Sequence, residues 1–177
     1  MTKRLSDEFM QQIATEQAWK DLSDDFTWTE TLLEKYADKV DWKTISENRR
    51  IVWTIPMLQK FSQKLDWPTL SSYMNDEWFT EEHLEAFKEK WDWGELCGNI
   101  KFSDEIISKY GDYINWTALI GADNFRSCIM RDDDFDGIAF YEKYKTHLPI
   151  SKIQDSDLWR NIVEKVTQQI KTEILSK

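Results

Sequence analysis

The chain has few of the residues that announce a chemistry. Cysteine occurs twice (Cys97, Cys128) and histidine twice (His83, His147), and none has a second thiol or histidine at metal-ligand spacing. Neither a disulfide framework nor a zinc knuckle is expected to organise the fold. The 5 glycines form no phosphate-cradling loop and no Gly-x-Ser-x-Gly elbow, and no Ser/His/Asp arrangement emerges from spacing. Positive charge is also in deficit: 23 Lys+Arg against 33 Asp+Glu leave a formal net charge of −10, which disfavours direct binding to nucleic acid phosphates. No apolar window approaches a membrane span, and Asp7 and Glu8 precede any apolar run at the N-terminus. These features predict a soluble, unsecreted, cytoplasmic protein with no membrane partner.

What the chain does have is aromatic and periodic. It is 177 residues long with 41% hydrophobic and 14% aromatic residues, enough for one domain with a substantial core. Trp19, Trp42, Trp67, Trp93 and Trp116 recur at steps of 23, 25, 26 and 23 residues, each opening a variant of Trp-x-x-Leu/Ile-Ser. A period in this range marks a stacked-repeat architecture.

A second pattern precedes each tryptophan: a large apolar residue, a helix-capping residue, often an acidic pair, then apolar residues. Caps are predicted at Ser6, Thr29, Thr54, Thr80 and Ser103, where a hydroxyl accepts from a free amide of the first turn. The residue before each cap pairs with the fourth after it as a staple: Leu5 with Met10, Trp28 with Leu33, Trp53 with Leu58, Phe79 with Leu84, Phe102 with Ile107. Seven past the cap stands Ile13, Tyr36, Phe61, Phe87 or Tyr110, and the tryptophan follows six residues later. Pro56 falls in a first turn, where its missing N–H costs little. The Trp-x-x-Leu segment reads as a short helical return capped by Asp41, Asp66, Asp92 or Asn115. A unit of about 24 residues cannot bury its own stripe, so the units must stack.

These observations predict an all-α, helical-repeat solenoid within a single domain, 1–177. Five repeats cover 5–121, an insertion and a degenerate sixth repeat cover 122–153, and a capping helix covers 154–177. In the sixth unit Ile150 takes the tryptophan slot, 34 residues after Trp116. The terminal helix carries Leu158, Trp159, Ile162, Val163, Val166, Ile170 and Ile174 on one side, expected to seal the stack.

The stretch Asp41-Trp42-Lys43-Thr44-Ile45-Ser46-Glu47-Asn48, followed by Ile51-Val52-Trp53-Thr54-Ile55, carries a resemblance. It resembles short Trp-x-x-Leu-Ser-x-Asn helical repeats in uncharacterised proteins of bacteria and large DNA viruses, over about residues 5 to 120. That pattern often has Asn-Pro where this chain has Asn48-Arg49. The resemblance implies an all-helical repeat fold and no activity, cofactor or catalytic residue.

Other signals have plainer explanations. Asp132-Asp133-Asp134-Phe135-Asp136-Gly137 matches the opening of a calcium loop, but the twelfth position is Lys143 where a bidentate Glu is needed, and Glu142 is out of register. A solvated turn with Asp136 as helix cap is the better reading. Acidic residues cluster in first turns, where they favour the helix dipole. The tryptophans occupy core slots, the two histidines read as structural, Cys97 as buried and inert, and Cys128 as exposed.

The sequence therefore points to a non-enzymatic protein–protein interaction module, with no cofactor and no metal, the monomer favoured. The candidate surface comprises Tyr73 and Trp78, the insertion residues Phe125, Arg126, Arg131, Asp132, Asp133 and Asp134, and the acidic helix starts Glu81, Glu82, Asp104 and Glu105. The alternative is an acidic inhibitor or DNA mimic of viral or mobile-element origin, bound to a basic nucleic-acid-handling protein.

Overall fold

The computed structural model describes residues 8–74, 78–121, 125, 129 and 135–176. Among them every regular element is an α-helix or a helical turn, and there is no strand. The chain divides into two compact units, Met1–Trp91 and Asp92–Lys177.

In the first unit α1 (Glu8–Asp25) is followed by α2 (Glu30–Lys35), α3 (Trp42–Glu47), α4 (Ile55–Phe61), α5 (Trp67–Ser72) and α6 (Glu81–Ala86). In the second, α7 (Trp93–Asn99), α8 (Asp104–Tyr110), α9 (Trp116–Gly121), α10 (Gly137–Tyr144) and α11 (Ile150–Ile153) lead to α12 (Asp157–Leu175). Most of these helices are 6 to 8 residues long, too short to be stable alone in water. Their ends are fixed by side chains. Thr29, Thr54 and Ser103 accept from Leu32, Met57 and Ile106 amides, and Asp41, Asp66, Asp92 and Asn115 cap the returns at 2.8–3.0 Å. The Thr44 amide holds the Asp41 carboxyl below its ordinary range, and hydrogen bonds from the Thr69 hydroxyl and amide do the same for Asp66.

Packing within each unit repeats one contact. Each tryptophan ring lies on the aromatic of the following repeat: Trp19 on Tyr36, Trp42 on Phe61, Trp67 on Phe87, Trp93 on Tyr110 and Trp116 on Tyr144, with ring centroids 5.2–5.5 Å apart. The residue three before the next tryptophan slot covers the same ring. Lys39, Lys64 and Lys90 lie over Trp19, Trp42 and Trp67, while Tyr113 and His147 lie against Trp93 and Trp116. The indole N–H of Trp42, Trp67 and Trp116 donates to the carbonyl five residues earlier. Helix α3 packs against both α1 and α5, and α9 packs against α7.

The serine four past the tryptophan joins one turn to the next. Ser23 and Ser46 each donate to the carbonyl of their own tryptophan and accept from the backbone amide of Asp41 and Asp66 respectively, at 3.1 Å. Asn48 explains the last consensus position. Buried, it donates to the Ser23 and Phe26 carbonyls and accepts from the Arg50 amide.

Three expectations need correction. The first repeat does not break before its tryptophan: α1 runs unbroken through Trp19, and Met10 and Ile13 are exposed. Where later units place a buried Val40, Leu65, Trp91 or Ile114 followed by a capping Asp or Asn, this one has Gln17 and Ala18. Nothing there buries a closing side chain or stops the helix. Its expected cap Ser6 and staple residue Leu5 lie outside the described residues. Ile150 opens α11 as the tryptophans open their returns, but it is 76% exposed where Trp67, Trp93 and Trp116 are buried. And α12, which packs on α10 and α9, covers only part of its apolar stripe: Leu158 is buried and Ile162 half-buried, while Trp159, Val163, Val166, Ile170 and Ile174 are exposed.

Replacing Ser46 with Ala should cost about 1–3 kcal/mol, because the Asp66 amide loses its buried acceptor. Urea unfolding of the variant against wild type measures it, with Ser62→Ala, at the half-buried C-cap of α4, as the control.

A candidate binding cavity in the second unit

The second unit contains a cavity of about 500 Å³, a volume in the range of ligand pockets. Its wall begins where the chain enters α8. Phe102 and Ile107, the staple pair flanking the Ser103 cap, are both buried and present one apolar side. The sixth repeat supplies the other through Phe135, Ala139 and Phe140, with Ile129 between. Phe125 packs edge-on against Phe135 and Phe140, and Phe140 against Tyr144, so the rings support one another.

The polar groups at this cavity are Ser103, Asp104, Asp136 and Lys143. Lys143 donates to Asp104 Oδ2 at 2.5 Å and the Tyr144 hydroxyl donates to Asp104 Oδ1 at 2.7 Å. The Lys143 hydrogen bond holds the Asp104 carboxyl below the usual carboxylate range, and Asp104 in turn raises Lys143. Asp136 caps α10, accepting from the Ile138 and Ala139 amides, and Ser103 accepts from Ile106. Every polar group is thus committed to a structural bond. The carboxylate and the amine are held in their charged forms, the opposite of the shift a general base or a nucleophilic lysine requires. The site is equipped to receive an apolar group beside a charged rim.

Two predicted surface residues meet here: Asp104 lines the cavity and Phe125 stands behind its wall, buried at 1% exposure. Glu105 is exposed next to Asp104. The remaining insertion residues Arg126, Arg131, Asp132, Asp133 and Asp134 lie outside the described residues, as does Cys128. Glu81 and Glu82 belong to the first unit, exposed in the first turn of α6. Tyr73, 40% exposed, has Arg49 over its ring. Trp78 is half-buried, edge-on to Phe79 and His83, with its indole N–H buried and unpaired. Phe102, Phe140 and Lys143 were not predicted as site residues. Their signal was the long step before the sixth unit, which marks where the regular spacing fails.

His83 is bonded into the core, and His147 lies exposed against the Trp116 ring. His83 is buried; Thr80 N–H donates to its Nδ1, and Nε2 lies 3.1 Å from the Trp53 carbonyl. A neutral ring with its proton on Nε2 satisfies both, and burial lowers its pKa. Burial also pushes the Cys97 thiol up to about 12. Among the described residues no group of three His, Cys, Asp or Glu side chains could hold a metal ion, and no helix is long and apolar enough to cross a membrane.

No protein-family model, curated protein or solved structure matches this chain.

A group whose folded pKa is depressed contributes stability above its unfolded value, here 3.8, and loses it as pH falls through the lower folded value. The Asp104 carboxyl should accordingly titrate below 3.8, and in a Lys143→Met variant its midpoint should move back up. Side-chain carboxyl NMR across the acid range measures both.

Proposed function

We propose that this chain is a non-enzymatic protein-interaction module, its units stacked as a helical-repeat solenoid, which holds a partner protein at the cavity between α8 and α10. The observation that carries the reading is the cavity itself: an apolar interior at the one place where the repeat spacing lengthens, with charged groups at its mouth already paired. Such a site gains free energy from burying an apolar side chain and from excluding water, with no chemistry to perform. The Trp-to-aromatic contact found in both units supports the repeat stacking, since it joins each repeat to its successor within them by one geometry.

A second reading is an acidic inhibitor or nucleic-acid mimic. It is favoured by the exposed carboxylates Glu81, Glu82 and Glu105 at helix starts. Against it, Lys60 bridges Glu30 and Glu34, and Lys143 bridges Asp104, which interrupts the negative surface.

Capture from a lysate at low and high salt, with wild type and Ala139→Arg, separates these. Ala139 is exposed on α10 and lines the cavity, so an arginine there fills the site without disturbing the core. The interaction module predicts a saturable partner that survives high salt and is lost with Ala139→Arg. A basic partner that dissociates steeply with salt and ignores Ala139→Arg means the mimic instead. Absence of any saturable partner contradicts both.

A further inference from the structure

Helix α12 carries two faces and the chain uses one of them. Its N-terminal half packs on α10: the Gly137 amide donates to Asn161 Oδ1 at 3.0 Å, and a Cβ on Gly137 would collide with that oxygen and crowd Ile162. Leu158 is fully buried and Lys165 lies 4.0 Å from Asp136. The packed face is therefore Leu158, Asn161, Ile162 and Lys165. Trp159, Val163, Val166, Ile170 and Ile174 form a different line, and all five are exposed, from 36% at Trp159 to 66% at Ile174. At about 100° per residue the two faces stand about 130° apart, so packing on α10 cannot cover the stripe. Helix α1 shows the contrast. Its exposed Phe9 and Ile13 fall on the opposite side of the helix from Leu22, and the three make no line.

We propose that the stripe from Trp159 to Ile174 is a self-association surface, and that its occupant is the same stripe of a second copy of this chain. The first three steps between the exposed residues, four, three and four, are those of a seam between paired helices, with Ile174 one further turn on, and an identical stripe matches it in length and in apolar character. The charge pattern favours this occupant. Asp157, Glu164 and Glu173 balance Arg160, Lys165 and Lys171, so α12 is formally neutral within a chain of net charge −10. From Trp159 to Ile170 no charged side chain falls within the stripe, and Glu173 borders it only at the C-terminal end, so any like-charge contact across the seam is confined to that end. A phospholipid surface is the poorer match, because interfacial helices carry a basic polar face and this one does not. The contact runs along about 23 Å of helix. It buries less than the roughly 800 Å² per partner of a standard interface. The dimer is accordingly weak and dependent on concentration, where the sequence alone favoured a monomer. This inference does not rest on the cavity, whose lining includes no residue of the stripe.

Sedimentation equilibrium of the full chain from low micromolar to several hundred micromolar tests it, with Val166→Glu and Ile170→Glu alongside. Wild type should follow a monomer–dimer equilibrium, and each variant should raise the dissociation constant by about tenfold or more, since pairing would bury an unpaired carboxylate. Thermal unfolding of the dilute variants should match wild type, because both side chains are exposed in one copy. A monomer at every concentration overturns the proposal, as does a dimer that both variants leave intact. Flotation of the chain with phosphatidylcholine vesicles, abolished by the same substitutions, also overturns it and assigns the stripe to lipid.

Discussion

The face of one tryptophan indole against the ring of the next repeat's aromatic is the contact on which the rest of each unit depends. Helices of six or seven residues have no independent stability, so capping alone tells them where to begin without making them persist. The indole supplies the missing term. Its N–H is satisfied by the carbonyl five residues back, which frees the whole ring to be buried at no polar cost. A lysine, tyrosine or histidine from the following repeat then covers what remains. Ser23 and Ser46 carry the same coupling through the backbone, each bound to its own tryptophan carbonyl and to the next return's first amide. One residue type at one position thus organises a turn, a helix pair and a repeat interface together.

Where this device was complete in the sequence, the structure was legible. The caps at Thr29, Thr54, Ser103 and Asp136, and the returns capped by Asp41, Asp66, Asp92 and Asn115, all depend on local hydrogen bonds that residue type and spacing define. The errors fall where a local pattern was continued past the residues that enforce it. Trp19 carries the tryptophan but lacks the preceding cap and closing apolar residue, and the helix runs on. Ile150 has the spacing but not the ring that could reach a neighbour. In α12 the stripe was visible but its partner was not, because burial depends on which face meets α10, and Gly137 and Asn161 decide that through a contact between residues 24 apart.

The cavity was legible only in outline. Sequence spacing locates the insertion and places Asp104 and Phe125 on the candidate surface, yet in the sequence the enclosing Phe102 reads as a helix staple and Lys143 as the wrong residue for a calcium loop. They become a site because α8 and α10 come together, joined by Lys143 and Tyr144 on Asp104 across 39 and 40 residues of sequence. That juxtaposition is tertiary and leaves no periodic mark. Among the described residues, the charged groups lining the cavity are paired, and His83 and Cys97 are buried in the core.

The account stands on the claim that ring-on-ring packing couples successive repeats, and the pair Trp42 and Phe61 isolates it, with centroids 5.2 Å apart. A double-mutant cycle of Trp42→Leu and Phe61→Leu, read by urea unfolding, measures that coupling directly. The account predicts an interaction energy of about 0.5–1.5 kcal/mol beyond the separate costs. Additivity of the two substitutions to within about 0.3 kcal/mol would contradict it.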